Sequence, residues 1–401
     1  MDSLWLLVLT LTFKQITSAA GRVLVIGGSG RVGGSCVRAL LEQGRRVVVG
    51  GRSRANWVDS AHRFPELDLQ ARVEFLEIDA TLPMQLPRGL YDAVVNTAGP
   101  FQGLTECALL ESCLKAGSNY VDVCDDIRLS RVARSNKYQA LAQETKTSAV
   151  ISAGIWPGVS SLLAQELLDN LEAKGEQPSR VRFNFFTAGS GGAGETILTA
   201  TFLLLGEDVL TYVNGKQVYQ KTATDALTRD FGPGIGARDV VRLNLIETES
   251  CFASASPELR RHLSVETRFG TAPRFWNILF AAMARVIPQS ALQNRQLMKA
   301  LAIASLPAVR LVDTLVGSAN GIEVEVDTSS GRTVSALLTH RDLEQEVGQC
   351  LAAFASKLID VSLASTAPSG VFYPEEMPWK DTKRAILAES KARAMTFRSS
   401  L

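Results

Sequence analysis

Histidine is scarce: three occur in 401 residues, His62, His262 and His340. None sits in the spacing of a zinc site, so no metal is expected. The six cysteines include no CxxC pair, which excludes a zinc ribbon or a thioredoxin-type redox motif. Charge of one sign is missing as well. Forty-two basic residues face 41 acidic ones, for a net charge of +1. Basic residues never run longer than two, so bulk attraction to nucleic acid is not expected. Long apolar runs are absent from the main body, which leaves no membrane span there. The one apolar stretch at the start, Leu4 to Phe13, is too short to cross a bilayer as a helix. It has the length of a signal-peptide core but follows Asp2 rather than a basic residue. It reads as a signal or as an incomplete leader covering residues 1–21.

Two catalytic signatures are also lacking. The only YxxxK match, Tyr212 to Lys216, encloses Asn214-Gly215. That dipeptide makes a hairpin, so the two side chains would not share a helical face. The G-x-S-x-G turn of hydrolases does not occur in its required place.

From about residue 22 to 157, short apolar runs alternate with helical patterns. Strands are expected at Val23–Ile26, Arg46–Val49, Val73–Ile78, Ala93–Asn96, Tyr120–Val123 and Ala149–Ala153. Helices are expected at Val32–Gln43, Leu104–Ala116 and Arg131–Lys146. Continuous apolar strands alternating with helices imply an α/β fold, a doubly wound parallel sheet of Rossmann type. Residues 158–362 read differently. Hairpins at Tyr212–Tyr219 and Ile322–His340 combine with long helices, the last of them Asp342–Ile359, to suggest an α+β domain for substrate binding or dimerisation.

The strongest chemical signal follows the first strand: Gly27-Gly28-Ser29-Gly30-Arg31-Val32-Gly33. Gly27 permits a tight turn, Gly30 lets backbone N–H groups approach a diphosphate, and Gly33 lets the helix pack close to the sheet. The helix N-terminus adds donors and partial positive charge. The second strand runs into Gly50-Gly51-Arg52-Ser53-Arg54, with no acidic residue from Gly50 to Asn56. A site for NAD places Asp or Glu there, whereas Arg52 or Arg54, with Ser53, suits the 2′-phosphate of NADP(H). Asp79 and Ala80 end the third strand beside the expected adenine. Thr97, Ala98 and Gly99 end the fourth, under the ribose and nicotinamide side.

Three segments carry a resemblance: VLVIGGSGRVGGSCVRAL from Val23, YDAVVNTAGPFQG from Tyr91 with NYVDVCDD from Asn119, and AGIWPGVSSLLA from Ala153. With FFTAGSGGAGETILTATFLLLGE, VETRFGTAPRFWN and GVFYPEE, they resemble the saccharopine dehydrogenase-like oxidoreductases, in particular those of plants and algae. That resemblance implies a nicotinamide cofactor, usually NADP, and cofactor contacts at Gly27, Gly30, Gly33, Arg52 and Thr97 to Gly99. It further implies that residues 363–401 return to the first domain around Gly370 to Glu376. Residence in a plastid is implied too, with the cytoplasm next. It leaves the substrate open, since such proteins range from amino-acid reductases to lipid enoyl reductases.

Catalytic candidates come from strand ends, where ligands of such sheets bind. Asp126 would move a proton or hold an amine, or else cap the helix before Ile127. Arg268 would hold a substrate carboxylate, or else be an inter-domain arginine. Trp156 would line the nicotinamide pocket or fill the domain interface. The expected activity is hydride transfer between NADP(H) and a C=N, C=O or C=C group of a small molecule. The alternatives are a non-catalytic NADP(H)-binding redox sensor and a dimerising structural subunit.

Overall fold

The computed structural model describes residues 21–64, 69–80, 82, 84–188, 194–364 and 368–401. Residues 1–20 of the expected leader and residues 189–193 of the glycine-rich stretch lie outside them. In chain order the first strands are β1 (Arg22–Ile26), β2 (Arg46–Gly51), β3 (Glu74–Glu77), β4 (Ala93–Asn96), β5 (Asn119–Asp122) and β6 (Ser148–Val150). Then come β7 (Pro178–Ala188), β8 (Val209–Val213), β9 (Lys216–Gln220), β10 (Leu227–Asp230), β11 (Ala237–Arg242) and β12 (Ser264–Ala272). The last are β13 (Ala319–Thr328), β14 (Thr333–His340), β15 (Gly370–Phe372) and β16 (Thr396–Ser399).

Seven strands form a parallel sheet in the order β15-β6-β5-β4-β1-β2-β3. Val23, Leu24 and Val25 of β1 are fully buried because both faces of the sheet are covered. On one face lies the helix Arg31–Glu42, through Cys36, Val37 and Leu40. Beside it packs the helix Leu343–Leu363. The approach is close: a Cβ on Gly348 would stand 2.6 Å from the Cys36 backbone N and 2.5 Å from the Ser35 Cβ. The expected boundary at residue 362 therefore does not follow the layers, because a helix from the second half covers the first sheet.

Several helices differ from expectation. The one expected from Leu104 starts at Ala108. The one expected over Arg131–Lys146 is two, Ile127–Ala133 and Asn136–Thr145: Asp126 caps the first by accepting the Leu129 N–H, and extended backbone at Ser135 separates the second from it. Leu343–Leu363 is not the last helix, since Lys380–Arg393 follows it.

The second sheet has nine strands, with β10-β11-β12-β7-β13-β14-β16 as its path, β8 attached to β12 and β9 attached to β8. Strands β7 and β12 run parallel and the other pairs antiparallel. The β8–β9 hairpin turns at Asn214 and Gly215, whose φ values of 49° and 76° suit a tight primed turn. Tyr212 and Lys216 sit on its opposite strands. A single apolar core runs from β1 through Leu163 and Leu167 to Phe183 and Phe185 of β7, so the two sheets are held as one body. The C-terminal residues are divided: β15 extends the first sheet beside β6, while β16 pairs with β14 of the second.

Candidate functional site

The glycine turn sits where the crossovers from β1 and β4 diverge, the crevice in which doubly wound sheets bind ligands. Gly27 has φ +79° and its N–H donates to the Gly50 carbonyl at 2.9 Å. A Cβ on Gly33 would lie 2.2 Å from the Gly27 oxygen and 2.7 Å from Thr97 Oγ1, so no other residue fits there without movement. No side chain caps the helix Arg31–Glu42, which leaves its first-turn donors for a ligand. Ser29 Oγ is buried without a hydrogen-bond partner. Such an orphan is costly unless a bound group satisfies it.

These residues line a cavity of about 710 Å³. Gly27, Ser29 and Gly30 form its floor, Arg52 and Ser53 one end, and Asp79 and Ala80 an adjoining wall. Thr97, Ala98 and Gly99 form the other side, with Thr97 Oγ1 tied to the Ile26 carbonyl at 2.8 Å. Gly28 does not line the cavity; a Cβ there would stand 2.9 Å from the Val49 methyl groups. Of the two candidate arginines, Arg52 faces the cavity, whereas Arg54 opens the helix Arg54–Ala61. Ser53 caps that helix by accepting the Asn56 N–H at 3.3 Å, so its hydroxyl hydrogen stays available to an acceptor. Arg63 has no sequence signal, yet it holds the turn from outside, donating to the Ser29 carbonyl at 2.7 Å and the Gly30 carbonyl at 3.2 Å.

A second cavity of about 510 Å³ adjoins the first. Gly30, Thr97, Gly99, Pro100 and Phe101 line both. Arg31, Val32 and Gly33 border this second chamber. Its walls are apolar, with Trp156, Phe202, Leu243, Phe269 and Phe280 among them. Trp156 packs on Phe185 with ring centroids 5.3 Å apart. Three carboxyl groups interrupt the apolar wall. Asp125 accepts from Gln102 Nε2 at 2.8 Å, and burial pushes its pKa up to about 6. Glu247 accepts from Ser160 Oγ at 2.9 Å and is pushed up by burial to about 7. Glu344 lies 3.2 Å from the Arg31 guanidinium and is likewise raised by burial to about 7. Buried carboxyl groups with pKa values near neutrality can hold or release a proton at working pH.

The two sequence-based catalytic candidates lie elsewhere. Asp126 does not border the chamber; its carboxylate accepts the Leu129 N–H at 2.7 Å and caps the helix Ile127–Ala133. The neighbouring Asp125 is the one that faces inward. Arg268, only 3% exposed, borders neither cavity; it is bound by Asp225 at 2.5 Å and Glu266 at 3.0 Å. A guanidinium so matched has no charge left over for a substrate carboxylate. All six cysteines are free thiols. Among the described residues no cluster could hold a metal ion.

A parallel sheet in the order 3-2-1-4-5-6, extended by one strand and joined to a mixed sheet, defines a Rossmann dinucleotide-binding protein with a second α+β domain. Residues 23–155 match the family model of the saccharopine dehydrogenase NADP-binding domain. Residues 23–155 are thus an NADP-binding domain of saccharopine dehydrogenase type, and that domain binds NADP(H). The orphaned Ser29 hydroxyl and the Gly27–Gly33 cradle fit that cofactor. Apo saccharopine dehydrogenase (L-Glu forming) from Saccharomyces cerevisiae shares the fold with a TM-score of 0.60 at 12% identity, over 95% of this chain and 100% of that one. A meso-dapdh variant with DAP from Clostridium tetani aligns at TM-score 0.45 and 13% identity, over 91% and 95% of the two chains. No curated protein is similar enough in sequence to count as a relative.

Proposed function

We propose that the protein transfers hydride between NADP(H) and a C=N, C=O or C=C group of a small, largely apolar molecule held in the second chamber. The observation that carries this reading is the shared wall. Gly30, Thr97, Gly99, Pro100 and Phe101 border both cavities, so the cavity that would hold the dinucleotide lies beside the one that would hold the substrate. In this reading Gly27 to Gly33 receive the diphosphate, Arg52 and Ser53 the 2′-phosphate, Asp79 and Ala80 the adenine side, and Thr97 to Gly99 the nicotinamide side. Bound NADPH supplies the hydride. The apolar walls exclude water from the reacting carbon, and Glu247 or Asp125 gives up a carboxyl proton to the reduced product.

The test pairs two measurements on the purified chain. One is an NADPH fluorescence titration. The other follows absorbance at the nicotinamide band with a panel of apolar aldehydes, cyclic imines and enones. Binding with turnover on one class supports the proposal and names the bond reduced. Tight binding with no turnover on any class would instead favour a non-catalytic NADP(H) sensor.

A further inference from the structure

Seventeen large hydrophobic residues are exposed among the described residues, and nine of them lie between Phe275 and Val316. That segment is a pair of helices, Arg274–Val286 and Arg295–Val316, joined by the short helix Gln289–Leu292. In the first helix no residue is fully buried. Phe275, Ile278, Leu279 and Val286 recur at helical spacing on its outer face, with exposures of 47%, 64%, 42% and 80%. Its inner face is apolar too: Trp276 and Phe280 line the chamber. The second helix repeats the arrangement, with Met298, Ala302 and Val309 inward and Leu297, Leu311 and Leu315 outward. A helix that is apolar on both faces is expected in a core or against lipid, not in water.

The charges choose between lipid and protein. From Arg274 to Val316 the chain carries five basic residues, Arg274, Arg285, Arg295, Lys299 and Arg310, against one acidic residue, Asp313. Arg285 and Arg310 are exposed. Arg274 and Lys299 pair with Asp239 and Glu195 yet stay 81% and 57% exposed, and Arg295 donates to the Pro100 carbonyl at 2.8 Å. Arg295 and Lys299 border the first cavity, so Arg285 and Arg310 are the cations that a second copy docked on this face by two-fold symmetry would set against one another. An anionic lipid surface neutralises them and takes up the apolar stripe. No described helix is long and apolar enough to cross a membrane, so the pair would lie in the interface. We propose that the outer face of the helices Arg274–Val286 and Arg295–Val316 docks on the anionic surface of a lipid bilayer. The proposal does not depend on which bond the chamber reduces.

The experiment is flotation of the full chain with phosphatidylcholine vesicles containing about one third phosphatidylserine. The unaltered chain is expected to float with them, and less well with phosphatidylcholine alone. Ile278→Glu with Leu311→Glu should reduce the bound fraction by roughly tenfold or more. Arg285→Glu with Arg310→Glu should abolish the preference for the anionic vesicles. These side chains are exposed, so NADPH affinity and melting temperature should hold in both variants, which separates lost docking from lost folding. Leu6→Glu with Leu9→Glu tests the apolar run near the start. The proposal is overturned if the unaltered chain does not float, or if the Ile278/Leu311 variant floats undiminished while the Leu6/Leu9 variant does not. It is equally overturned if ultracentrifugation finds a dimer that the Ile278/Leu311 variant loses, with no vesicle binding.

Discussion

Arg52 is the residue on which cofactor choice turns. It stands at the end of the 710 Å³ cavity beyond β2, and no acidic residue is near it in the turn. A charge-assisted bond to a phosphate contributes about 1.5–3 kcal/mol. Arg52→Ala should therefore raise the NADPH dissociation constant by about ten- to a hundredfold and leave that of NADH nearly unchanged. Equal weakening of both, in parallel fluorescence titrations, would remove the arginine from the 2′-phosphate. Glu247 is the matching test inside the chamber. Its proton is held below about pH 7, so reduction should slow as pH rises through that value. Glu247→Gln should lower kcat by about a hundredfold or more and flatten the profile, and an unchanged rate would dismiss it as donor. At this scale the residues that line the first cavity were legible because glycine and arginine carry meaning at fixed offsets from a strand. Asp125 was missed for Asp126 because the exit angle of β5, which no local pattern encodes, decides which of two adjacent carboxyls turns inward.

Among elements, the contact between the helices Arg31–Glu42 and Leu343–Leu363 bears most directly on the site, since the first of them begins at the glycine turn. Gly348 allows it: an added Cβ would meet Cys36 N, Ser35 Cβ and the Val32 carbonyl oxygen, the last at 2.7 Å. Gly348→Ala should push the helices apart at a cost of about 1–3 kcal/mol. A lower melting temperature with weaker NADPH binding is expected, and a variant as stable and as tight as the parent would show that the helix pair yields freely. This contact spans more than three hundred residues of sequence, and no periodicity announces it. The strands β1 and β4 were legible because a buried parallel strand is a continuous apolar run. The helices Arg274–Val286 and Arg295–Val316 were not resolved as elements because apolar residues stand on the exposed side as well as the buried one, and Pro307 interrupts the second. Strand β10, Leu-Thr-Arg-Asp, has too little alternation to be seen.

Over the whole molecule, burial sets the response to pH. Glu207, Glu247, Glu344 and Glu375 are each pushed up to about 7, and Asp122, Asp125 and Glu323 to about 6, with desolvation the leading cause throughout. In the unfolded chain these groups titrate near 4. Between about pH 4 and 7 the folded protein thus binds more protons than the unfolded one, and stability falls as pH rises through that window. His340 works the other way. Its pKa is depressed to about 4, chiefly by desolvation, so what it contributes is lost as pH falls from about 6.5 toward 4. Between pH 8 and 6.5 the raised carboxyls of the folded chain take up more protons than His340 takes up in the unfolded one. Acidification across that interval should therefore stabilise the chain, by an amount on the order of 1–3 kcal/mol. The melting temperature should rise by about 1–4 °C. Glu247→Gln, which removes one of these groups, should shrink the rise. A melting temperature that is flat or falls from pH 8 to 6.5 would mean that these carboxyls stay ionised when folded, and the proton source assigned to the chamber would go with them.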